Sequence, residues 1–468
     1  VISHRLLMAM MLAVPTLSFG TQQTKYPLEI INCGVKQTFT KPPERAVTMN
    51  QGMTEFLLAM GLEDSMAGTA YIDDEIWPRY EKAYKKVTVL AEKYATDAQL
   101  MEVDADFITA NYGSAFSEKP RRRSGSDSGV FTNKTVGPCD GEGSDYFAIY
   151  GTTNETNMAG SYGTCRPQLH AEGIGTWLET TYCEDKGLRP EVATEQTVYD
   201  AIKEIGAIFN VNDVAKMLID QIEADFDAAQ TAVKNTGHAL TAILLDYIGC
   251  GDDGKGYFVG AGEGSVNMIL ESAGMTNLFG VKDSESFKEL SYACVTADEI
   301  IALNPDVLLL IEADWDKALN KIDHLHNSSA WCAAPFVQRA DYIKIPFSAS
   351  ALSPRNGAAA VDLVSVATHL LTGATTINLK SGVAAFDPKM LVSRTAKLLC
   401  PLSLTDMKYS GVSAPTDDSD DLPAWAIALI AVFCSLFVLV LAGACYMFAR
   451  EKQGKPIFTE VTSEVAKA

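Results

Sequence analysis

Apolar and polar positions follow two rhythms between residues 26 and 372. Short β-type runs alternate with stretches of helical period. In the first half, Ala46–Met49, Val87–Leu90 and Asp106–Thr109 read as strands, and Thr54–Met60 reads as a helix that stops at Gly61. In the second half, Leu240–Leu245, Asp306–Ile311 and Tyr342–Ile345 read as strands. Ser265–Ser272, closed by Gly274, reads as a helix there, as do Ala297–Leu303 and Ala358–Leu371. Between the halves, Val214, Leu218, Ile219, Ile222, Phe226, Ala229 and Val233 recur on one face of a predicted helix over 212–235, with Asn212 as its N-cap. At about 1.5 Å per residue this helix is about 36 Å long, enough to reach from one lobe to another.

The halves repeat each other weakly. TEFLLAMG then DADFIT in the first corresponds to SVNMILESAG then NPDVLLL in the second. The predicted fold class is α/β, with two Rossmann-like lobes bridged by one long helix. The predicted N-terminal lobe covers 26–195 and the C-terminal lobe 238–372. An insertion at about 113–170 is rich in Gly, Ser, Thr and Asn, and contains Arg121, Arg122 and Arg123. It reads as a solvated surface loop. Residues 373–424 read as an extension and a Ser/Asp-rich stalk.

The ends carry a different pattern. His4 and Arg5, the apolar run Leu6–Val14, and the small residues Ser18 and Gly20 read as a signal peptide over 1–20. Trp425–Phe448 is uncharged, preceded by Asp417, Asp418, Asp420 and Asp421 and followed by Arg450, Lys452 and Lys455. It is long enough to span a bilayer as a transmembrane helix over 425–448, and the positive flank puts the tail 449–468 in the cytosol. The expected topology is single-pass type I at the plasma membrane, with most of the chain extracellular, or lumenal in an endocytic route. The chain of 468 residues has 59 acidic and 38 basic side chains and a net charge of −21. Nucleic acid is a poor partner for such a field.

Eight cysteines lie in the predicted exported part: Cys33, Cys139, Cys165, Cys183, Cys250, Cys294, Cys332 and Cys400. An even number in an exported chain suggests up to four disulfides, with the connectivity open. No CxxC pair suggests a metal. Glycosylation sequons stand at Asn133, Asn154 and Asn327.

Five stretches in order carry a resemblance: Pro42–Ala70, Leu100–Ala110, the long helix, Gly262–Gly280 and Val295–Trp315. Together they resemble the ABC-type periplasmic binding proteins for vitamin B12, ferric siderophores and haem, whose lobes are bridged by one helix. With a signal peptide and a C-terminal span, and with KIPFSASALSPRNGAAAVDL over Lys344–Leu363, the layout is similar to the cobalamin acquisition proteins of diatoms and other algae. The resemblance implies a periplasmic-binding-protein-like fold and cobalamin as cargo. It implies no catalytic cofactor, and an uptake transporter or endocytic machinery as partner. Algal ferrichrome receptors share the layout, so a ferric-siderophore or haem receptor is the alternative. In bacterial members each lobe docks on a permease through an acidic residue. The corresponding positions here are Ala98 and Asp298 or Glu299, so the first lobe lacks its contact.

Cargo in such a fold sits between lobes, on the loops that follow the strands. The candidate ligand-binding residues are Trp315, Tyr71, Tyr94, Tyr112, Tyr247, Phe258, Glu312, Asp314 and Arg355, with Tyr257 beside them. Aromatic faces would cover a broad corrin, and the polar groups would receive its amides. Arg79, Lys255 and Arg355 would serve a ferric chelate instead. Each aromatic is equally well explained as packing. Trp315 is favoured because it directly follows an apolar strand. His324-x-His326 is the only close histidine pair and reads as surface. No G-x-S-x-G, P-loop or HExxH occurs, and the GxG triplets at Gly141 and Gly262 lack the dinucleotide fingerprint, so no catalytic residue is assigned.

Overall fold

The computed structural model describes residues 23–116, 166–171, 173–183, 185–237, 239–280, 291–372, 379–405 and 407. The predicted signal peptide, transmembrane helix and tail lie outside these residues, as do Cys139, Cys165, Asn133, Asn154 and most of the insertion. Among the described residues no helix is long and apolar enough to cross a membrane.

The first lobe opens with an antiparallel hairpin, β1 (Leu28–Asn32) and β2 (Val35–Phe39). A five-stranded parallel sheet follows, made of β3 (Ala46–Met49), β4 (Met66–Ala70), β5 (Val89–Ala91), β6 (Phe107–Ala110) and β7 (Gly175–Leu178). Its order is β5-β4-β3-β6-β7. Helix α1 (Gln51–Ala59) leaves β3 and ends just before Gly61, whose φ of 69° stops it. The buried hydroxyls of Thr48, Thr54 and Thr69 bond one another at 2.7–2.9 Å, so β3, β4 and α1 share a satisfied polar knot.

The repeat is visible in the structure. Helix α2 (Asp97–Glu102) begins with a capping box of Thr96 and Gln99. Its second-lobe counterpart begins with the same box, Thr296 and Glu299. Each helix leads into an interior strand of its sheet. Glu299 is thereby committed to its own helix, while Asp298 is exposed.

Helix α3 (Glu195–Ile208) packs Val198, Ile202 and Ile205 into the first-lobe core with Phe107 and Trp177, so this lobe continues past the predicted limit at 195. The bridging helix α4 (Asn212–Thr236) buries Leu218, Ile222, Phe226 and Ala229 of the predicted stripe, and Ala215 in place of Val214, which is half-buried. The cap position differs from expectation. Val211 is the N-cap, and Asn212 is the first helical residue, its amide held by Thr24 Oγ1 at 2.9 Å. Gly237, left-handed at φ 64°, closes the helix.

The second lobe is a mixed seven-stranded sheet of β8 (Leu240–Cys250), β9 (Gly256–Gly260), β10 (Met275–Asn277), β11 (Tyr292–Val295), β12 (Val307–Glu312), β13 (Tyr342–Pro346) and β14 (Ala384–Ala385). The order is β11-β9-β8-β12-β13-β14, with β10 also paired to β8. Its helices include α5 (Ser265–Ser272), α6 (Ala297–Leu303), α7 (Ala318–His326), α8 (Phe347–Ser350), α9 (Asn356–Thr372) and α10 (Pro388–Thr395). Strands β8, β12 and β13 run parallel and are buried on both faces, which accounts for their near-continuous apolar sequence. The pleat divides β12. Val307, Leu309 and Ile311 join the core shared with α4, whereas Leu308 and Leu310 face Trp331, Phe336 and Tyr342 on the other side.

Strand β14 and helix α10 place the chain beyond residue 372 inside the second lobe, where an extension was expected. A two-residue strand leaves too little pattern to be read from sequence. Three disulfides form among the described residues: Cys33–Cys183, Cys250–Cys294 and Cys332–Cys400.

Candidate functional site

The C-terminal ends of the parallel strands carry the first lobe's candidate residues. Met49 pairs with Ala70 and Ala110, and Ala110 with Leu178, so Asn50, Tyr71, Asn111 and Glu179 leave the sheet at one edge. Asn50 and Tyr71 hold left-handed backbone at φ 76° and 57°, a strained conformation for non-glycine residues. In the second lobe, Tyr247, Glu312 and Phe347 leave at the corresponding edge.

These edges meet in a buried seam. Ser348 donates from its backbone N–H and its hydroxyl to the Asp74 carboxylate, both at 2.8 Å. The Asp314 N–H donates to the Asp73 carbonyl at 2.8 Å, and Asn111 Nδ2 to the Leu352 carbonyl at 3.1 Å. Gly52 lets the backbones close, because a Cβ there would stand 2.8 Å from the Leu352 carbonyl. At the centre, Arg355 grips Glu55 with two nitrogens, one bond at 2.6 Å, and donates to the Glu75 carbonyl at 2.6 Å. Asp74 lies 3.7 Å from the same guanidinium. Arg355 is 2% exposed and Glu55 0%. Gln51 completes the network, accepting from the Asp73 and Asp74 N–H groups and donating to Asp74.

Several carboxyls at this edge are pushed up by burial. Asp74 rises to about 6, opposed by Arg355 and Ser348. Asp73 rises well above its ordinary value through burial and the neighbouring Asp74, Asp246 and Asp314 charges. Asp246 rises to about 7 through burial, against the pull of Lys321, and its Oδ1 has no partner among the described residues.

Beside the seam lies an open pocket of about 530 Å³, lined by Tyr247, Ile248, Trp315, Asp316, Asn320, Lys321 and His324. All seven belong to the second lobe. Trp315 is 48% exposed and rests edge-on against Phe347, with centroids 4.9 Å apart. Phe347 in turn lies 6.2 Å from Tyr112 of the first lobe. Tyr247 packs on Phe258 at 4.9 Å, and Phe258 stacks on Tyr292 at 5.3 Å. Lys321 is fully buried. It donates to the Ile311 and Asp316 carbonyls at 2.9 and 3.0 Å and pairs with the Asp316 carboxylate at 3.0 Å.

Of the residues singled out from sequence, the pocket gathers Trp315 and Tyr247, with Phe258 behind them. Tyr71 and Tyr94 pair at 4.7 Å on the first lobe and do not line this pocket. Tyr112 packs between Tyr182 and Phe347. Glu312 caps α7 through the Ala318 N–H at 2.9 Å, and Asp314 pairs with Lys317 at 2.7 Å. Arg355 joins the lobes in the seam and its charge is neutralised there. Arg79 lies over the Trp77 ring at 4.7 Å, and Lys255 is exposed in the β8–β9 turn. Tyr257 is buried on the opposite face of β9 from Phe258. Asn327 is exposed at the end of α7.

The histidine pair departs from expectation. His326 is 1% exposed, with Nδ1 on the Cys400 carbonyl and Nε2 on the Tyr342 hydroxyl. The spacing of two residues puts the pair on different faces of α7, so His324 alone reaches the pocket. Lys321, His324 and Phe347 were not anticipated there. Among the described residues no cluster of three or more His, Cys, Asp or Glu is arranged to hold a metal ion.

A family model described as periplasmic binding protein matches residues 181–349. A periplasmic binding protein from Veillonella parvula is 20% identical, with a TM-score of 0.54, over 74% of this chain and 98% of that one. The ABC-type Fe3+-hydroxamate transport system structure from Saccharomonospora viridis is 22% identical, with a TM-score of 0.52, over 75% of this chain and 100% of that one. No curated protein matches the chain. The fold is therefore the mixed α/β fold of periplasmic binding proteins.

Two measurements check the seam. Glu55→Gln leaves Arg355 buried without its counter-charge and is expected to lower unfolding free energy by about 3–5 kcal/mol in urea denaturation. A loss below about 1 kcal/mol would mean that the pair does not hold the lobes. Asp246 titrates near 7 when folded and near 4 when unfolded, so between those values the folded chain holds an extra proton. Its contribution is favourable at the low end of that window and is lost as pH rises through 7. Asp246→Asn is expected to flatten the decline in stability between pH 5 and pH 7.5, and an unchanged slope would contradict this.

Proposed function

We propose that the protein is a cell-surface receptor that binds cobalamin at the interlobe cleft for uptake, with no catalytic role. The observation that carries this reading is the half-exposed Trp315 over an aromatic pocket at the strand ends of a periplasmic-binding-protein fold. An exposed indole beside a concave surface offers a rigid flat face on which an apolar part of a ligand can be buried. A pocket of about 530 Å³ receives part of a corrin and leaves the remainder outside it.

Charge favours a neutral cargo. The lysine in the pocket is neutralised by Asp316, and the adjacent seam is rich in carboxyls. A ligand fringed by amides suits this better than one bearing carboxylates, such as haem. A ferric hydroxamate is the second reading, supported by the fold shared with the Saccharomonospora viridis structure. Trp315 and Tyr247 carry the apolar contact in either case.

Calorimetry with cyanocobalamin, ferrichrome and haemin separates the readings. Cyanocobalamin is expected to bind, and Trp315→Ala to weaken it by about tenfold or more with an unchanged melting curve. Heat from ferrichrome or haemin with none from cyanocobalamin would replace the cobalamin reading.

The same proposal includes a signal peptide over 1–20, a span over 425–448, a cytosolic tail and N-glycans at Asn133, Asn154 and Asn327. A transporter or endocytic partner would complete uptake. On intact cells, external protease should remove the bulk of the chain and spare a C-terminal tag, and a glycosidase should increase gel mobility. A tag cleaved from outside would reverse the topology.

A further inference from the structure

The pocket wall contains a chain of hydrogen bonds that fixes the proton on one histidine. Trp331, fully buried, donates from Nε1 to the Tyr257 hydroxyl oxygen at 2.8 Å. An indole N–H can only donate, so Tyr257 accepts there. Tyr257 is 5% exposed, and its hydroxyl lies 2.8 Å from His324 Nε2. The phenol has one proton to place. If Nε2 carried its own hydrogen, the tyrosine oxygen would accept twice and its buried proton would have no acceptor. That arrangement leaves a desolvated donor unsatisfied. The economical pattern runs one way, from Trp331 through Tyr257 to a bare Nε2.

Partial desolvation of the ring holds the His324 imidazole below its ordinary pKa, so the neutral ring predominates near pH 7. Its single hydrogen then sits on Nδ1, which has no partner among the described residues. His324 is exposed and lines the pocket with Trp315, Tyr247 and Asn320. Lys321, the cationic donor there, is already committed to Ile311 and Asp316. His326 offers the contrast, because both of its ring nitrogens are occupied.

We propose that the Trp331–Tyr257–His324 relay presents His324 Nδ1–H as a fixed donor in the pocket, for an uncharged acceptor oxygen of the cargo, an amide or hydroxamate carbonyl. His324 is thereby a specificity residue and not a metal ligand. Nδ1–H has no lone pair for a metal, and the Nε2 lone pair faces the tyrosine proton. This inference rests on the pocket being the cargo site.

The test has one readout independent of cargo and one dependent on it. In full-length protein with 15N-labelled histidine, the signals that vanish in His324→Asn should show Nδ1 protonated and Nε2 unprotonated at pH 7.5. The opposite tautomer overturns the proposal even if cargo binds. For binding, His324→Asn sets an amide N–H near the position of Nδ1, and His324→Gln sets one near Nε2. With cyanocobalamin, the Asn variant should stay within about threefold of the unaltered protein, and the Gln variant should weaken by about tenfold or more. Equal loss, or better retention by Gln, overturns the donor assignment. If cyanocobalamin fails to bind the unaltered protein while the tautomer is as expected, the cobalamin reading fails, and the same pair of variants is read with ferrichrome. If neither ligand binds the unaltered protein, the pocket is not the cargo site and the donor role falls with it.

Discussion

The buried pair of Arg355 and Glu55 is the constraint on which the two-lobed arrangement depends. Neither charge could remain in the interior alone, and each comes from a different lobe. The folded state is therefore tolerable only when the lobes meet in one relation. Gln51, Asp74 and Ser348 extend the pair into a network that leaves little freedom to slide. The aromatic edge follows from this, because Phe347 supports Trp315 from one side and lies near Tyr112 on the other.

Helix α4 works in parallel with the seam. It packs on α3 in the first lobe and on α9 in the second, and its buried stripe belongs to a core that runs continuously through both. Gly357 permits the closest approach, since a Cβ there would stand 2.8 Å from the Ile222 carbonyl. A charged seam and an apolar strut thus fix the same geometry by unrelated forces. Hydrophobic burial supplies most of the stability, and the ion pair supplies the register.

Much of the framework was legible in sequence because burial there follows simple periods. Strands β3, β12 and β13 and helices α5 and α6 lie within a residue or so of where the pattern puts them. What stayed hidden has physical causes. Helix α7 buries Lys321 and His326 beside Ala318, Ile322 and Leu325, so polar residue types disguise its inward face. Strand β4 is built of small residues around Gly68, and β9 begins and ends in glycine. In the site, Trp315 and Tyr247 could be singled out because aromatics after strands are visible locally. Arg355 could be seen as a cation, but its partner lies 300 residues away in the chain. The role of His324 depends on Tyr257 and Trp331, which no local spacing connects.

The three disulfides each stay within one lobe. Cys33 joins Cys183, and the other two pairs lie at or beyond Cys250. During synthesis, the first lobe can therefore close its own link before Cys250 leaves the ribosome. Oxidation can proceed lobe by lobe, and premature cross-lobe pairing is limited by the order in which thiols appear. Among the described residues no disulfide joins the two lobes, so there their relation rests on reversible forces, and an error in docking can be corrected without breaking one of these bonds.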